Sequence, residues 1–345
     1  MTESHIIPST LSVGGRSSAL AVIQSEHIGS LILSKLPEVT NVPITKLKTL
    51  GDNVLNKPLY SFGGKALWTK ELEDKLANRE LDIVVHSLKD MPTTLPDGFI
   101  LGAITKREDP SDCVVLKAGS EYKSLKELPE GSIIGTSSVR RSAQLRKLYP
   151  TLQFQSVRGN LLTRLRKLDD PESPFACIIL ATAGLVRQNL GHRISFTLQK
   201  DEMYHAVGQG ALGLEIRKHD PVMQHVCNVI SDHEATVCCL AERSLMRSLE
   251  GGCSVPIGVE SHYNHETQEL TVHGCVISVD GSNFVEASVT KKIEDVQMDA
   301  NEVGILLSAE LCKLGAKEIL ESIRFEDIHL SLIHISEPTR HSLIS

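Results

Sequence analysis

Residues 81–92 read LDIVVHSLKDMP. The apolar, β-branched run predicts a buried strand that ends at Val85 or His86, with Ser87, Lys89 and Asp90 just beyond it. Working upstream, LWTKELEDKLANREL (67–81) has the pattern of a helix, and VPITKLKTL (42–50) that of a strand. SSALAVIQSEHIGSLILSKL (17–36) is an amphipathic helix with Ser17 or Ser18 near its N-cap, and LSVGG (11–15) is the strand before it. This βαβαβ order predicts a mostly parallel, right-handed sheet. Ligands of open α/β sheets bind in the crevice beyond the carboxyl ends of the strands. Ser87, Lys89 and Asp90 are therefore candidate site residues, with Lys89 suited to an anion and Asp90 to a cation or a proton. A solvated turn with an aspartate cap is the plain alternative.

Downstream the alternation repeats. SIIGTSS (132–138) ends a strand, VRRSAQLRKLYP (139–150) begins a helix, and LQFQSV, NLLTRLRKL and FACIILATAGL continue the pattern. After GALGLEIRK comes a long helix, EATVCCLAERSLMRSLEGG (234–252), closed by a glycine pair. Antiparallel strands follow (PIGVES, ELTVHGCVISV and FVEASVTKKI, with a turn at Asp280-Gly281), then one helix from about Asn301 to Ile323. The expected domains are 9–108 with 211–230, then 112–206, then a small α+β unit at 233–325. Residues 330–340 resemble an in-frame translation of a sequencing-library adapter, so 330–345 is expected to be a non-native tail and is excluded from fold reasoning.

The chain has 345 residues, 41% hydrophobic and 23% charged, which suits two or three globular domains. No apolar run is long enough to span a membrane, and no secretory or transit signal opens the sequence, so a cytoplasmic protein is expected. The eight cysteines are scattered, without zinc spacing or a Cys-x-x-Cys pair. A reducing compartment and no metal site follow. Cys253, in EGGCSVP (250–256), stands apart on a glycine-rich loop. Spacing sets aside metal and disulfide for it, and leaves nucleophile or covalent anchor open.

The formal net charge is −7, which argues against a general nucleic-acid binder. Yet Gly131 to Leu168 holds Arg140, Arg141, Arg146, Lys147, Arg158, Arg164, Arg166 and Lys167 without one acid. Arginine dominance points to forked hydrogen bonds on carboxylate or phosphate. Thr136, Ser137 and Ser138 sit at a strand-to-helix junction suited to an anion, and Arg16 with Ser18 marks a third such junction. One cleft binding several carboxylates is the expectation, with Asp90 as its acid/base group. The letters Gly208-x-Gly210-x-x-Gly213 match a dinucleotide fingerprint, but a strand rather than a helix follows them.

Together GGRSSALAVIQS, LDIVVHSLKDMPT, KREDPSDC, IGTSSVRRSAQL, VRGNLLTRLRKL, ATAGLVR, AVGQGALGLEIR and LEGGCSVPIG resemble the porphobilinogen deaminase (hydroxymethylbilane synthase) family, in family order over about residues 10 to 325. The resemblance implies two periplasmic-binding-protein-like (type II) α/β domains around a cleft, plus a small α+β domain. It implies a transferase that joins four porphobilinogen molecules into hydroxymethylbilane, primed by a dipyrromethane cofactor in thioether linkage to Cys253. By match, Lys89, Ser87, Thr136, Ser137, Arg140, Arg141, Arg158, Arg164 and Arg187 would hold the cofactor. Arg16, Ser18, Arg158, Arg164 and Gln209 would meet substrate, and Asp90 would be catalytic. A monomer is expected. The family's usual threonine is replaced by Gly15, and the glycine and phenylalanine of its GGKGLF loop by Ala66 and Trp68. A non-catalytic two-domain binder of a small carboxylate is the competing class, and it would need neither Cys253 nor Asp90.

Overall fold

The computed structural model describes residues 6–48, 69–249 and 255–323. Cys253, Ala66, Trp68 and the 330–345 tail lie outside them.

Five strands make the first sheet: β1 (Val13–Arg16), β2 (Ile44–Leu47), β3 (Ile83–Ser87), β4 (Phe99–Ile104) and β10 (Leu212–Arg217). Their order is β2-β1-β3-β10-β4, with β1 parallel to β2 and β3 but β10 antiparallel to both of its neighbours. Strand β3 buries its apolar side chains on both faces. Ile83 and Val85 pack with Ile28 and Ile32 of α1 (Ala19–Lys35) and Met223 and Val226 of α6 (Pro221–Ile230). Val84 packs on the opposite face with Leu72 and Leu76 of α2 (Lys70–Ala77). Burying each such side chain stabilises the fold by roughly 1.5–3 kcal/mol. β10 also carries the fully buried Glu215 to His86, 2.7 Å away.

The second sheet repeats the plan. β5 (Asp112–Leu116), β6 (Ile133–Gly135), β7 (Gln153–Gln155), β8 (Phe175–Ala181) and β9 (Phe196–Thr197) lie in the order β7-β6-β8-β5-β9, with β5 antiparallel to β8 and β9. Leu145 of α3 (Val139–Leu148) packs on one face. Leu165 and Leu168 of α4 (Leu161–Asp169), with Leu185 of α5 (Thr182–Arg187), cover the other. A third layer pairs the antiparallel strands β11 (Ile257–Asn264), β12 (Glu269–Ile277) and β13 (Phe284–Lys292) with α7 (His233–Ser248) and α8 (Val296–Lys313), whose Leu245, Leu307 and Leu311 fill its core.

Two α/β lobes, each built on a five-stranded sheet, and a smaller third unit are thus present. The sheets are less parallel than the βαβαβ pattern alone predicts, because each takes its fourth strand from a chain crossing. Residues 105–111 lead from β4 to β5, and residues 198–211 return from β9 to β10. The first crossing hydrogen-bonds to the second through Glu108 N to Gly210 O (3.1 Å), and to the start of β10 through Thr105 N to Leu212 O (3.2 Å). Gly210 has φ +86°, and a Cβ there would collide with the Glu108 carbonyl. The last helix also departs from expectation. It starts at Val296, behind the Asp295 N-cap, and breaks at Leu314-Gly315 before residues 316–323 resume. Among the described residues no helix is long and apolar enough to cross a membrane.

Candidate active site

Strand β3 runs one residue further than expected, so Ser87 closes it and the 3₁₀ turn Leu88–Asp90 follows at once. The turn is anchored by Leu88 and Met91, 1% and 0% exposed, which leaves Lys89 half-buried and Asp90 exposed on the cleft side. Gly213 makes that seat. A Cβ on it would stand 2.7 Å from Leu88 Cδ1 and 3.2 Å from Met91 Sδ. Ser87 Oγ is held by Gln24 of α1, at 2.9 Å from Nε2 and 3.1 Å from Oε1.

Lys89 Nζ donates to Gln209 Oε1 at 3.3 Å. Gln209 Nε2 in turn donates to Asp112 Oδ1 (2.9 Å) and to the Pro110 carbonyl (2.7 Å). Asp112, the first residue of β5, then pairs with both arginines of the α3 first turn. Arg140 Nη1 reaches its Oδ2 and Arg141 Nη2 its Oδ1, each at 2.7 Å. Further donors fix the pair, from Arg140 Nη1 to the Tyr204 carbonyl (2.6 Å) and from Arg141 Nη1 to that of Ile179 (2.9 Å). A chain of contacts therefore crosses the hinge from the Asp90 turn to the arginine helix.

The electrostatics follow from this packing. Burial alone would raise the Asp112 carboxyl, but Arg140 and Arg141 hold it well below the usual carboxylate range. Burial pulls the Lys89 ammonium down to about 8; Asp90 opposes the shift and Arg141 adds to it. The Arg164 guanidinium is also lowered, by burial first and then by Arg141, with Asp90 opposing. These couplings bring Lys89 and Asp90 of one lobe to Arg140, Arg141 and Arg164 of the other. Desolvated cations outnumber carboxylates there, which is the condition that favours an anionic ligand.

The other expected residues are placed as follows. Arg16 is half-buried at the end of β1, next to β3. Ser18 caps α1, accepting from Ala21 N at 3.4 Å. Thr136 is buried and accepts from Ser138 N, while Ser137 Oγ lies 2.8 Å from Ser156 Oγ and 2.8 Å from the Val157 carbonyl. Arg158 is exposed, and Arg164 Nε donates to the Gly159 carbonyl at 2.8 Å. Arg187 sits at the hinge, where Nη2 donates to the Gly210 carbonyl at 2.7 Å and burial lowers its pKa. Gln209 is 1% exposed, with both ends of its amide engaged. At Gly15, a Cβ would run into the hydroxyl of Ser25, so serine occupies the space that the family's threonine would need.

Residue-by-residue reading missed Asp112, although an acid opening the apolar strand DCVVL, opposite an acid-free arginine block, signals a buried counter-charge. It also missed Glu242 of α7, which takes Arg107 bidentately at 2.7 and 3.0 Å while Arg107 Nε donates to the Gln209 carbonyl. The described cysteines other than Cys312 are buried. Burial pushes the thiols of Cys113 to about 11 and of Cys177, Cys227, Cys238 and Cys275 to about 12.

Residues 11–225 match the family model described as "Porphobilinogen deaminase, dipyromethane cofactor binding domain", and residues 236–313 match "Porphobilinogen deaminase, C-terminal domain". The porphobilinogen deaminase of Saccharomyces cerevisiae is 57% identical over 325 residues, covering 93% of this chain and 99% of that protein. That of Eremothecium gossypii is 58% identical over 322 residues, 92% and 98% of the two chains. A cyanobacterial relative of the same name, from Nostoc sp., is 46% identical over 314 residues, 91% and 94% of the two chains. With both of its halves matched and relatives spanning nearly its whole length, the chain belongs to the porphobilinogen deaminase family.

Proposed function

We propose that this cleft holds the carboxylates of porphobilinogen and of the growing pyrrole chain, with Asp90 as the proton-transfer group and Cys253 as the covalent anchor. The reaction is that of the family: four porphobilinogen molecules are deaminated and joined into hydroxymethylbilane. The observation that carries the residue assignments is the convergence of Lys89, Arg140, Arg141 and Arg164 on Asp90 and Asp112 across the hinge.

The residues fit a dipyrromethane. Its acetate and propionate groups need cationic, hydroxyl-rich partners, and the desolvated Lys89, Arg164 and Arg187, with Ser87 and Ser137 nearby in their lobes, are of that kind. When bound, the cofactor supplies the pyrrole carbon to which units are added, and it stays on the protein. Lys89 and the arginines orient carboxylated rings. Asp90, exposed at the tip of its turn, is placed to offset the positive charge that develops on porphobilinogen as ammonia leaves. Its carboxylate then accepts the proton that substitution on the pyrrole releases. Cys253 lies outside the described residues. The raised thiols of the buried cysteines support it as the reactive one, since the thiolate is the nucleophile. The domain limits proposed are those expected from the sequence, and a cytoplasmic monomer without a nucleic-acid partner is the proposed state.

Intact mass tests the anchor. Protein expressed with porphobilinogen supply is expected to exceed its sequence mass by one dipyrromethane, and Cys253→Ser to lack the increment and turnover. An unmodified parent protein that forms no bilane would defeat the reading.

Lys89 gives a pH signature. Holoenzyme formation from apoprotein and porphobilinogen, followed by intact mass, is expected to slow as pH rises through about 8, where Lys89 loses its proton. In that window the unfolded chain binds more protons than the native one, so this group makes stability rise with pH, and the slowing is not unfolding. Lys89→Met is expected to be slow throughout and to lack the step. A parental profile in that variant would remove Lys89 from carboxylate binding.

A further inference from the structure

The inner face of helix α7 lies against the Asp90 turn. Leu88 and Met91 pack with Ala235 and Cys239 of this helix. One helical turn apart, Arg243 and Arg247 project onto the chain just past Asp90. Arg243, 4% exposed, donates from Nη1 to the Met91 carbonyl (3.2 Å) and from Nη2 to that of Pro92 (2.6 Å). Arg247 donates from Nη1 to the Thr93 carbonyl (3.2 Å) and from Nη2 to Asn301 Oδ1 of α8 (2.9 Å).

Three successive carbonyls after the candidate catalytic aspartate are thus taken by two forked guanidiniums from the third unit. Residues 91–93 belong to no helix or strand, and Pro92 has no N–H to give a ladder. Without the arginines, the segment would keep its apolar anchors at Leu88 and Met91 but lose the contacts that set its direction.

We infer that Arg243 and Arg247 are positioning residues that fix Asp90 relative to α7, so that the acid/base group and the third unit's helix move as one body. Neither side chain need touch substrate. The inference rests on the reading of Asp90 as the proton-transfer group. It goes beyond that reading by giving the third unit a part in placing the carboxylate, besides bearing the cofactor.

The test uses Arg243→Met, Arg247→Met, the double variant and Arg243→Lys, each as holoenzyme with cofactor load checked by intact mass. A positioning role predicts kcat for the double variant lower by about 10- to 100-fold, since misplacement by about 1 Å costs on that order. KM for porphobilinogen is expected to stay within about twofold, because the carboxylate-binding cations are untouched. Enzyme carrying partly extended chains should accumulate in the mass spectrum. Arg243→Lys should recover only part of kcat, as one ammonium cannot fork to two carbonyls. Arg247 is exposed, so Arg247→Met leaves no buried partner stranded and keeps the test readable if Arg243→Met folds poorly. A lower melting temperature with parental kcat per holoenzyme would overturn the assignment and leave a structural role only. Asp90→Asn run alongside separates the two ideas. If it turns over normally, the underlying reading fails; if it is inactive while the arginine variants elongate at the parental rate, only the positioning role falls.

Discussion

Asp90→Asn is expected to yield protein of full holoenzyme mass whose turnover is lower by about 10²- to 10⁴-fold, the range of general acid–base contributions. The substitution keeps the shape of the 3₁₀ turn, because that turn is set by Leu88 and Met91 beneath it and by Arg243 beyond it. What it removes is a negative charge and a proton acceptor at an exposed tip. Lys89 keeps its contact with Gln209, so carboxylate binding should survive and KM should change little. The pairing of intact load with lost rate is therefore the diagnostic, read by mass and by bilane formation. Near-parental turnover would take Asp90 out of the mechanism.

The second large effect is expected at Asp112. Asp112→Asn leaves Arg140 and Arg141, 6% and 7% exposed, facing an amide where a carboxylate stood. Removing one partner of a buried ion pair typically costs about 3–5 kcal/mol, because the stranded charge has nowhere to be solvated. The denaturation midpoint should fall accordingly, and cofactor loading should fail with it, since the two arginines lose their aim. The pH dependence has a definite sign. A carboxyl held below its ordinary value of about 3.9 contributes stability that is full above that pH and is lost as pH falls through the native value. The parent should therefore lose stability through the acid range, and the variant, already without the contribution, should show a flatter profile there. An unchanged midpoint with normal loading would mean that the pairing with Asp112 is incidental.

Much of this arrangement is legible in the chain, for identifiable reasons. IVVHS declares a strand because its side chains must be buried, and the abrupt change to LKD marks where the strand meets the cleft. Ser18 and Ser138 declare helix starts through hydroxyls that cap locally. The arginine block declares a need for counter-charge because no acid lies near it in sequence, and Asp112 supplies part of it. What stays hidden is whatever depends on distant pairing. Nothing local to Leu212–Arg217 says that it runs antiparallel between β3 and β4, since its partners lie more than a hundred residues away. Gln209 is conspicuous between two glycines, but its burial follows from hinge geometry, in which Gly210 admits the Glu108 carbonyl. Arg243 and Arg247 sit in a helix whose amphipathic pattern gives them no distinction. Only their proximity to residues 91–93 does.

The strand exchange at the hinge also dictates an order of events during synthesis. β4 touches its own sheet only through β10, which lies far along the chain, after the whole second lobe. Until β10 leaves the ribosome, the first lobe exposes an unpaired edge on β3 and leaves His86 without Glu215. The second lobe has β5 available from its start and can close at once. Assembly should therefore run against the order of the genes' codons: the middle lobe matures first, and the N-terminal lobe is sealed by a segment made later. A chain truncated before residue 212 and released from the ribosome should show a protease-resistant core that begins near β5, with the residues before it cleaved.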